Sequence, residues 1–167
     1  ADERKNLPRL IEAYAELPTD IKKSTQLVFA GRLAPHFVVQ LQSLAKKAGL
    51  SPQELVLTGF VSDEELVALY SSCHCFMFPS WQEGFGLPAL EAMACGTPVA
   101  AFPVDGPQEV LLNHQTGVIK GGILSEDLAK ATVSALEIPR HLARQRALEF
   151  SWEKAGTLFH DNLVKAR

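Results

Sequence analysis

Two carboxylates, Glu83 and Glu91, flank the run Gly84-Phe85-Gly86-Leu87-Pro88-Ala89-Leu90, and the chemistry of the chain concentrates there. Gly84 and Gly86 permit a tight bend and a close approach of a ligand to the backbone. Pro88 suits the first position of a helix, where its missing N–H costs nothing. The free N–H groups of that first turn then form a seat for a phosphate. A carboxylate beside a phosphate is repelled unless it bonds something else, and sugar hydroxyls donate hydrogen bonds to carboxylates. The pattern points to a ligand with both phosphate and polyol parts: a nucleotide sugar.

Other chemistries find less support. Cys73-His74-Cys75 has metal-ligand types, but in a strand His74 faces away from its neighbours and no second cluster completes four ligands. Ala89 stands where a dinucleotide fingerprint needs its third glycine, and no Gly-Lys-Ser/Thr loop exists for an ATPase. His36, His74, His114, His141 and His160 are scattered, without an evident nucleophile to serve.

Composition bounds the class. A chain of 167 residues is long enough for one domain with a sizeable core, and 47% hydrophobic with 21% charged residues is ordinary for a globular protein. A net charge of −3 without a basic run argues against nucleic acid as a partner. No apolar stretch reaches the length of a membrane span, and the first residues are too charged for a signal peptide. Cys73, Cys75 and Cys95 cannot all pair within one chain, which favours free thiols and a cytoplasmic setting.

Helix and strand signals alternate along the chain. Asn6 is placed to cap a helix with Leu7, Leu10, Ile11, Tyr14 and Leu17 on one face, ending at Pro18. Strands are predicted at Gln26 to Gly31, Leu55 to Thr58, Cys75 to Phe78, Pro98 to Phe102 and Gly117 to Ile119. Helices are predicted around Phe37 to Ala45, after a Ser62–Glu65 capping box, from Pro88 to a left-handed cap at Gly96, and at Gln108 to Leu111. Two or three further helices fill the rest, with Pro139 and Ser151 as boundaries. Apolar strands alternating with helices predict an α/β fold with a parallel sheet covered on both faces. Ligands of such sheets sit beyond the carboxyl ends of the strands, where Gly31-Arg32, Gly59-Phe60-Val61, Ser80 to Gly86 and Asp105-Gly106-Pro107 fall.

Phe78-Pro79-Ser80, Glu83-Gly84-Phe85-Gly86-Leu87-Pro88, Glu91-Ala92-Met93-Ala94 and Gly96-Thr97-Pro98-Val99 together resemble the C-terminal half of group 1 (family 4) glycosyltransferases, retaining enzymes of the GT-B fold. The resemblance runs from Lys5-Asn6-Leu7 to Ser151-Trp152-Glu153. It implies a Rossmann-like donor domain over residues 1–167 that binds a UDP-, GDP- or ADP-hexose without a metal or other cofactor. It also implies an acceptor-binding domain that this chain does not contain. In the family a strand ending in Gly-Arg usually precedes the segment matching Asp2 to Asn6, so the chain reads as a fragment or as part of a longer polypeptide. The expectation for the full-length protein is a cytoplasmic location, peripheral to the membrane.

The resemblance also distributes roles. It gives Glu91 the ribose hydroxyls; an acid near a helix start would otherwise simply complement the helix dipole. It gives Glu83 the transferred sugar, in a loop where the side chain is otherwise solvated. The backbone amides of Phe85, Gly86 and Leu87 would bond sugar hydroxyls or the distal phosphate; a plain turn is the alternative. Lys5 matches the family's diphosphate lysine, although a lysine near a chain start is ordinarily just solvated, and the missing upstream arginine lowers the expected diphosphate affinity. Gly31 permits close approach to the backbone. Arg32 borders the nucleobase or is merely solvated, and Phe60 and Val61 either read the base through their backbone or simply pack.

Two further readings stay open: a non-catalytic nucleotide-sugar-binding module or half-enzyme needing a partner, and a sugar-nucleotide epimerase, for which no good acid/base set is found. The apolar stripe Trp152, Ala155, Leu158, Phe159 and Leu163 predicts self-association through a C-terminal helix.

Overall fold

In the computed structural model, residues 3–113, 117–151, 153, 154 and 157 are described. A 3-10 turn, Glu3–Lys5, leads into α1, Leu7–Ala15. Asn6 occupies the N-cap of α1 but does not cap it. Its backbone is left-handed (φ 47°, ψ 42°), and its side-chain Nδ2 donates instead to the Pro79 carbonyl at 3.1 Å. Pro18 stops α1 as predicted, yet the same residue, extended at ψ 142°, starts an unexpected short helix, α2, Thr19–Ser24. The chain continues as β1, Leu27–Ala30, and α3, Pro35–Lys47. After β2, Leu55–Gly59, comes α4, Asp63–Ser72. The Ser62–Glu65 capping box forms with both reciprocal bonds present.

β3, Phe76–Phe78, feeds the glycine loop and α5, Leu87–Ala94. The helix begins one residue before Pro88, with Gly86 at φ 86° as its N-cap, and Gly96 at φ 78° supplies the expected left-handed turn after it. β4, Val99–Ala101, precedes α6, Asp105–Leu111, which starts three residues earlier than expected. The small antiparallel pair β5, Leu112–Asn113, and β6, Val118–Ile119, is followed by β7, Gly122–Leu124. Two helices, α7 at Leu128–Ala135 and α8 at Arg140–Ala147, complete the described elements. The predicted C-terminal stripe at Trp152, Ala155, Leu158, Phe159 and Leu163 lies outside the described residues.

The long-range strand pairs are parallel, as predicted, but they form two hydrogen-bonded groups. β1 pairs with β2, setting Leu27 beside Leu55, while β3, β4 and β7 form the second group, with Met77, Ala100 and Ile123 in one row. Alternation along the strands splits the core in two. Ala100 and Phe102 join Leu27, Phe29 and the inner faces of α1, α3 and α7. Val99, Ala101 and Phe78 join α5, α6 and α8 on the opposite side. Helices therefore cover both faces of the β3–β4–β7 group. On β1 the alternation leaves Val28 41% exposed between buried Leu27 and Phe29. Between the two groups runs a cleft of about 1000 Å³ lined by β1 on one wall and β3 on the other.

Buried Arg146 of α8 ties the second core together. Its Nε donates to Val110 O at 2.8 Å and its Nη2 to Leu112 O at 3.0 Å, satisfying carbonyls at the end of α6, and its guanidinium lies over the Phe150 ring. Among the described residues no helix is long and apolar enough to cross a membrane.

Candidate functional site

The site is built where the start of the chain meets the loop after β3. Trp81 N donates to Arg4 O at 2.9 Å, and the Asn6–Pro79 bond lies beside it. These contacts deliver Lys5 to Glu83, with which it forms an ion pair across 78 residues of sequence. Ser80, 1% exposed, donates its hydroxyl to the same Glu83 oxygen, Oε1, at 2.9 Å. The carboxylate is thus gripped on one oxygen. Among the described residues nothing bonds Oε2, which remains available to a ligand hydroxyl. Sequence reasoning quoted Ser80 within the motif without giving it this role; a small hydroxyl three residues before an acid is the signal that could have marked it.

Two glycines close the loop. A Cβ on Gly86 would lie 3.0 Å from the backbone of Gly106, and its φ of 86° favours glycine independently. Gly84, by contrast, would meet nothing within 4 Å. Close packing against the start of α6 is therefore a demand on Gly86 besides its φ, while open space surrounds Gly84. The amides of Phe85, Gly86 and Leu87 find no acceptor among the described residues. Three successive unbonded N–H groups at the N-terminus of α5 form a concentration of positive dipole suited to an anion. Phe85 is 42% exposed and meets the Phe150 ring edge-on at 6.0 Å.

Glu91 lies one turn into α5, its side chain directed back along the helix. Tyr70 of α4 donates its hydroxyl to Glu91 Oε2 at 3.3 Å. Burial raises the Tyr70 phenol well above its ordinary value, with the Glu91 charge and this hydrogen bond adding to it. Lys5, Ser80, Tyr70, Pro88, Glu91 and Arg32 all line the cleft between the two strand groups; Glu83 lies outside that lining, although both of its partners belong to it.

The predicted base-reading residues sit apart from that lining. Gly31 and Gly59 bridge β1 and β2 through a 2.9 Å bond from Gly31 N to Gly59 O. Phe60 is 67% exposed and carries the Arg32 guanidinium 4.8 Å from its ring centroid. Arg32 connects this stack to the cleft; Gly31, Phe60, the half-buried Val61 and the loop Glu83 to Leu87 lie outside its walls.

A family model described as "Glycosyl transferases group 1" matches residues 1–149. The chain belongs to the group 1 glycosyltransferases. Within that family it is 33% identical over 169 residues to the serotype-specific mannosyltransferase WbdA of Escherichia coli, covering 97% of this chain and 20% of that protein. To the O-antigen chain mannosyltransferase B of Escherichia coli it is 32% identical, covering 92% and 41%. Among solved structures, the sucrose-phosphate synthase of Thermosynechococcus elongatus superimposes with a TM-score of 0.72 at 30% identity, over 96% of this chain and 43% of that one. WaaG, a glycosyltransferase involved in lipopolysaccharide biosynthesis, shares the fold with a TM-score of 0.71 at 24% identity, over 98% and 44%. This group 1 chain thus spans from about a fifth to about two-fifths of the length of these relatives.

Proposed function

We infer that this chain is the donor-binding part of a retaining hexosyltransferase whose acceptor-binding domain lies elsewhere in a longer polypeptide. The observation that carries the reading is the arrangement around α5: Glu83 before the helix, Glu91 inside it, and between them three amides that find no acceptor among the described residues. Phosphate oxygens suit the amides and the Lys5 ammonium; hydroxyls of sugar and ribose suit the two carboxylates. As the glycosidic bond to phosphate breaks, negative charge grows on the departing diphosphate, and Lys5 together with the start of α5 is placed to stabilise it. Glu83, with one oxygen held by Lys5 and Ser80, orients the transferred sugar rather than acting as a base. Retention of configuration follows from the family resemblance. The mannosyltransferase relatives make mannose the first hexose to test.

Thermal unfolding with UDP, GDP, ADP and their hexose conjugates, GDP-mannose among them, tests the reading. A ligand at a hundredfold excess over its Kd stabilises the fold by about 2.7 kcal/mol. One nucleotide is expected to shift the wild type and to shift Glu91→Ala much less. No shift with any nucleotide, in this chain and in a longer polypeptide containing it, overturns the assignment.

A further inference from the structure

Tyr70 is held more firmly than packing of α4 requires. The residue is 8% exposed, and its ring meets Phe76 edge-on, with centroids 5.4 Å apart and planes at 84°. Its carbonyl accepts from the fully buried Thr97 hydroxyl and from the Cys73 thiol at 3.4 Å. Thr97 Oγ1 in turn accepts from Arg140 Nη2 at 3.0 Å. Backbone and ring are both fastened, so the hydroxyl has little freedom of its own. Glu91, the group it reaches, is on a different helix and exposed, and an exposed glutamate samples many rotamers. The contact at 3.3 Å selects one of them and engages Oε2; among the described residues nothing bonds Oε1.

We propose that Tyr70 is a positioning residue that holds Glu91 by one oxygen so that the other accepts the vicinal hydroxyls of a nucleotide ribose, and that the pair thereby sets a preference for ribonucleotides over 2′-deoxyribonucleotides. The inference rests on the donor-binding reading and adds to it the residue that orients the ribose acceptor. Preorganisation is the physical reason: a carboxylate already in its bound rotamer loses less entropy when the ligand arrives. The 3.3 Å separation is longer than the usual O–H···O distance, which leaves room for the contact to shorten when the ligand polarises the carboxylate.

The test compares wild type, Tyr70→Phe, Glu91→Gln and the double variant by isothermal titration calorimetry. Each is titrated with UDP, GDP and ADP and with dUDP, dGDP and dADP. Wild type is expected to prefer the ribose form of the nucleotide it binds. Tyr70→Phe should lower that preference about threefold to tenfold, the span of one hydrogen bond. Its affinity for the deoxy form, which keeps only one of the two hydroxyls, should fall less, and the binding retained also reports that the variant is folded. On the Glu91→Gln background the tyrosine substitution should add nothing further. Equal losses for ribose and deoxyribose forms would make Tyr70 a scaffold residue and overturn the proposal, as would an unchanged preference. Wild-type binding without ribose preference overturns the role of Glu91, and no binding of any nucleotide, in this chain and in a longer polypeptide containing it, overturns the donor reading beneath both.

Discussion

Gly106 and Glu83 are packed so closely that a Cβ on Gly106 would stand 2.6 Å from the Glu83 Cβ. The same added atom would lie 3.0 Å from Gly86 N and 3.1 Å from the Phe85 carbonyl carbon. The start of α6 is therefore the floor on which the loop carrying Glu83 rests. Gly106→Ala forces that loop away and should destabilise the fold by about 2 kcal/mol, as overpacking does. Gly84→Ala, which meets open space at an ordinary φ, should stay within about 0.5 kcal/mol of wild type. Urea unfolding of the two variants checks the contrast; equal losses would contradict it.

Lys5 and Glu83 form a pair whose lysine side chain is 42% exposed. Such a pair contributes at most about 1 kcal/mol to stability. Lys5→Met should therefore leave the melting temperature nearly unchanged while lowering affinity for a nucleoside diphosphate about tenfold, the loss of one charged hydrogen bond. Affinity for the matching nucleoside, which carries no phosphate, should not move. Parallel titrations with the diphosphate and the nucleoside give the answer, and a loss shared by both would remove Lys5 from the phosphate site.

Arg140 sits at the first position of α8 and closes two other helices. Its Nη1 donates to Cys73 O at 2.8 Å, and its Nη2 reaches Ser71 O at 2.8 Å and Cys95 O at 3.2 Å. These carbonyls lie at the C-terminal ends of α4 and α5, where a cation also complements the dipole. Arg140→Ala should cost about 2 kcal/mol, and a lysine, without the planar fork, should recover less than half of it. Thermal unfolding of the three proteins measures this directly.

Tyr70 gives the stability a pH dependence. Its native pKa is raised above the ordinary 10.0 mainly by burial, with Glu91 adding to the shift. The neutral phenol is thus favoured in the folded state. Its contribution is complete below pH 10 and fades as the pH climbs from 10 toward the raised native value, because only the unfolded chain can then ionise. Between pH 9 and 11, wild type should lose about 1.4 kcal/mol more than Tyr70→Phe. Urea unfolding at those two values checks the sign; a larger loss in the variant would contradict it.

What was legible in the sequence shares a physical cause: it is local. The Ser62–Glu65 box, the stop at Pro18 and the left-handed turn at Gly96 depend on bonds spanning a few residues, so residue type and spacing suffice. Local signals also misled where a residue had two outlets. Asn6 has the type of an N-cap, but its amide is taken by Pro79, and Pro18, read only as a terminator, also begins α2. β7 was missed because Gly122 to Leu124 is short and opens on glycine; its strand character comes from the row it completes beside β4.

By itself, the sequence determined the alternation of strand and helix and the family motif that contains Glu83 and Glu91. Only the tertiary structure decided how those acids are held. Lys5 meets Glu83 across 78 residues, Tyr70 meets Glu91 across 21, and Arg140 reaches Cys73 across 67. No periodicity encodes such contacts. They arise because strand alternation, helix packing and close glycine contacts leave one arrangement in which these side chains coincide, and the orientation of each carboxylate follows from that arrangement.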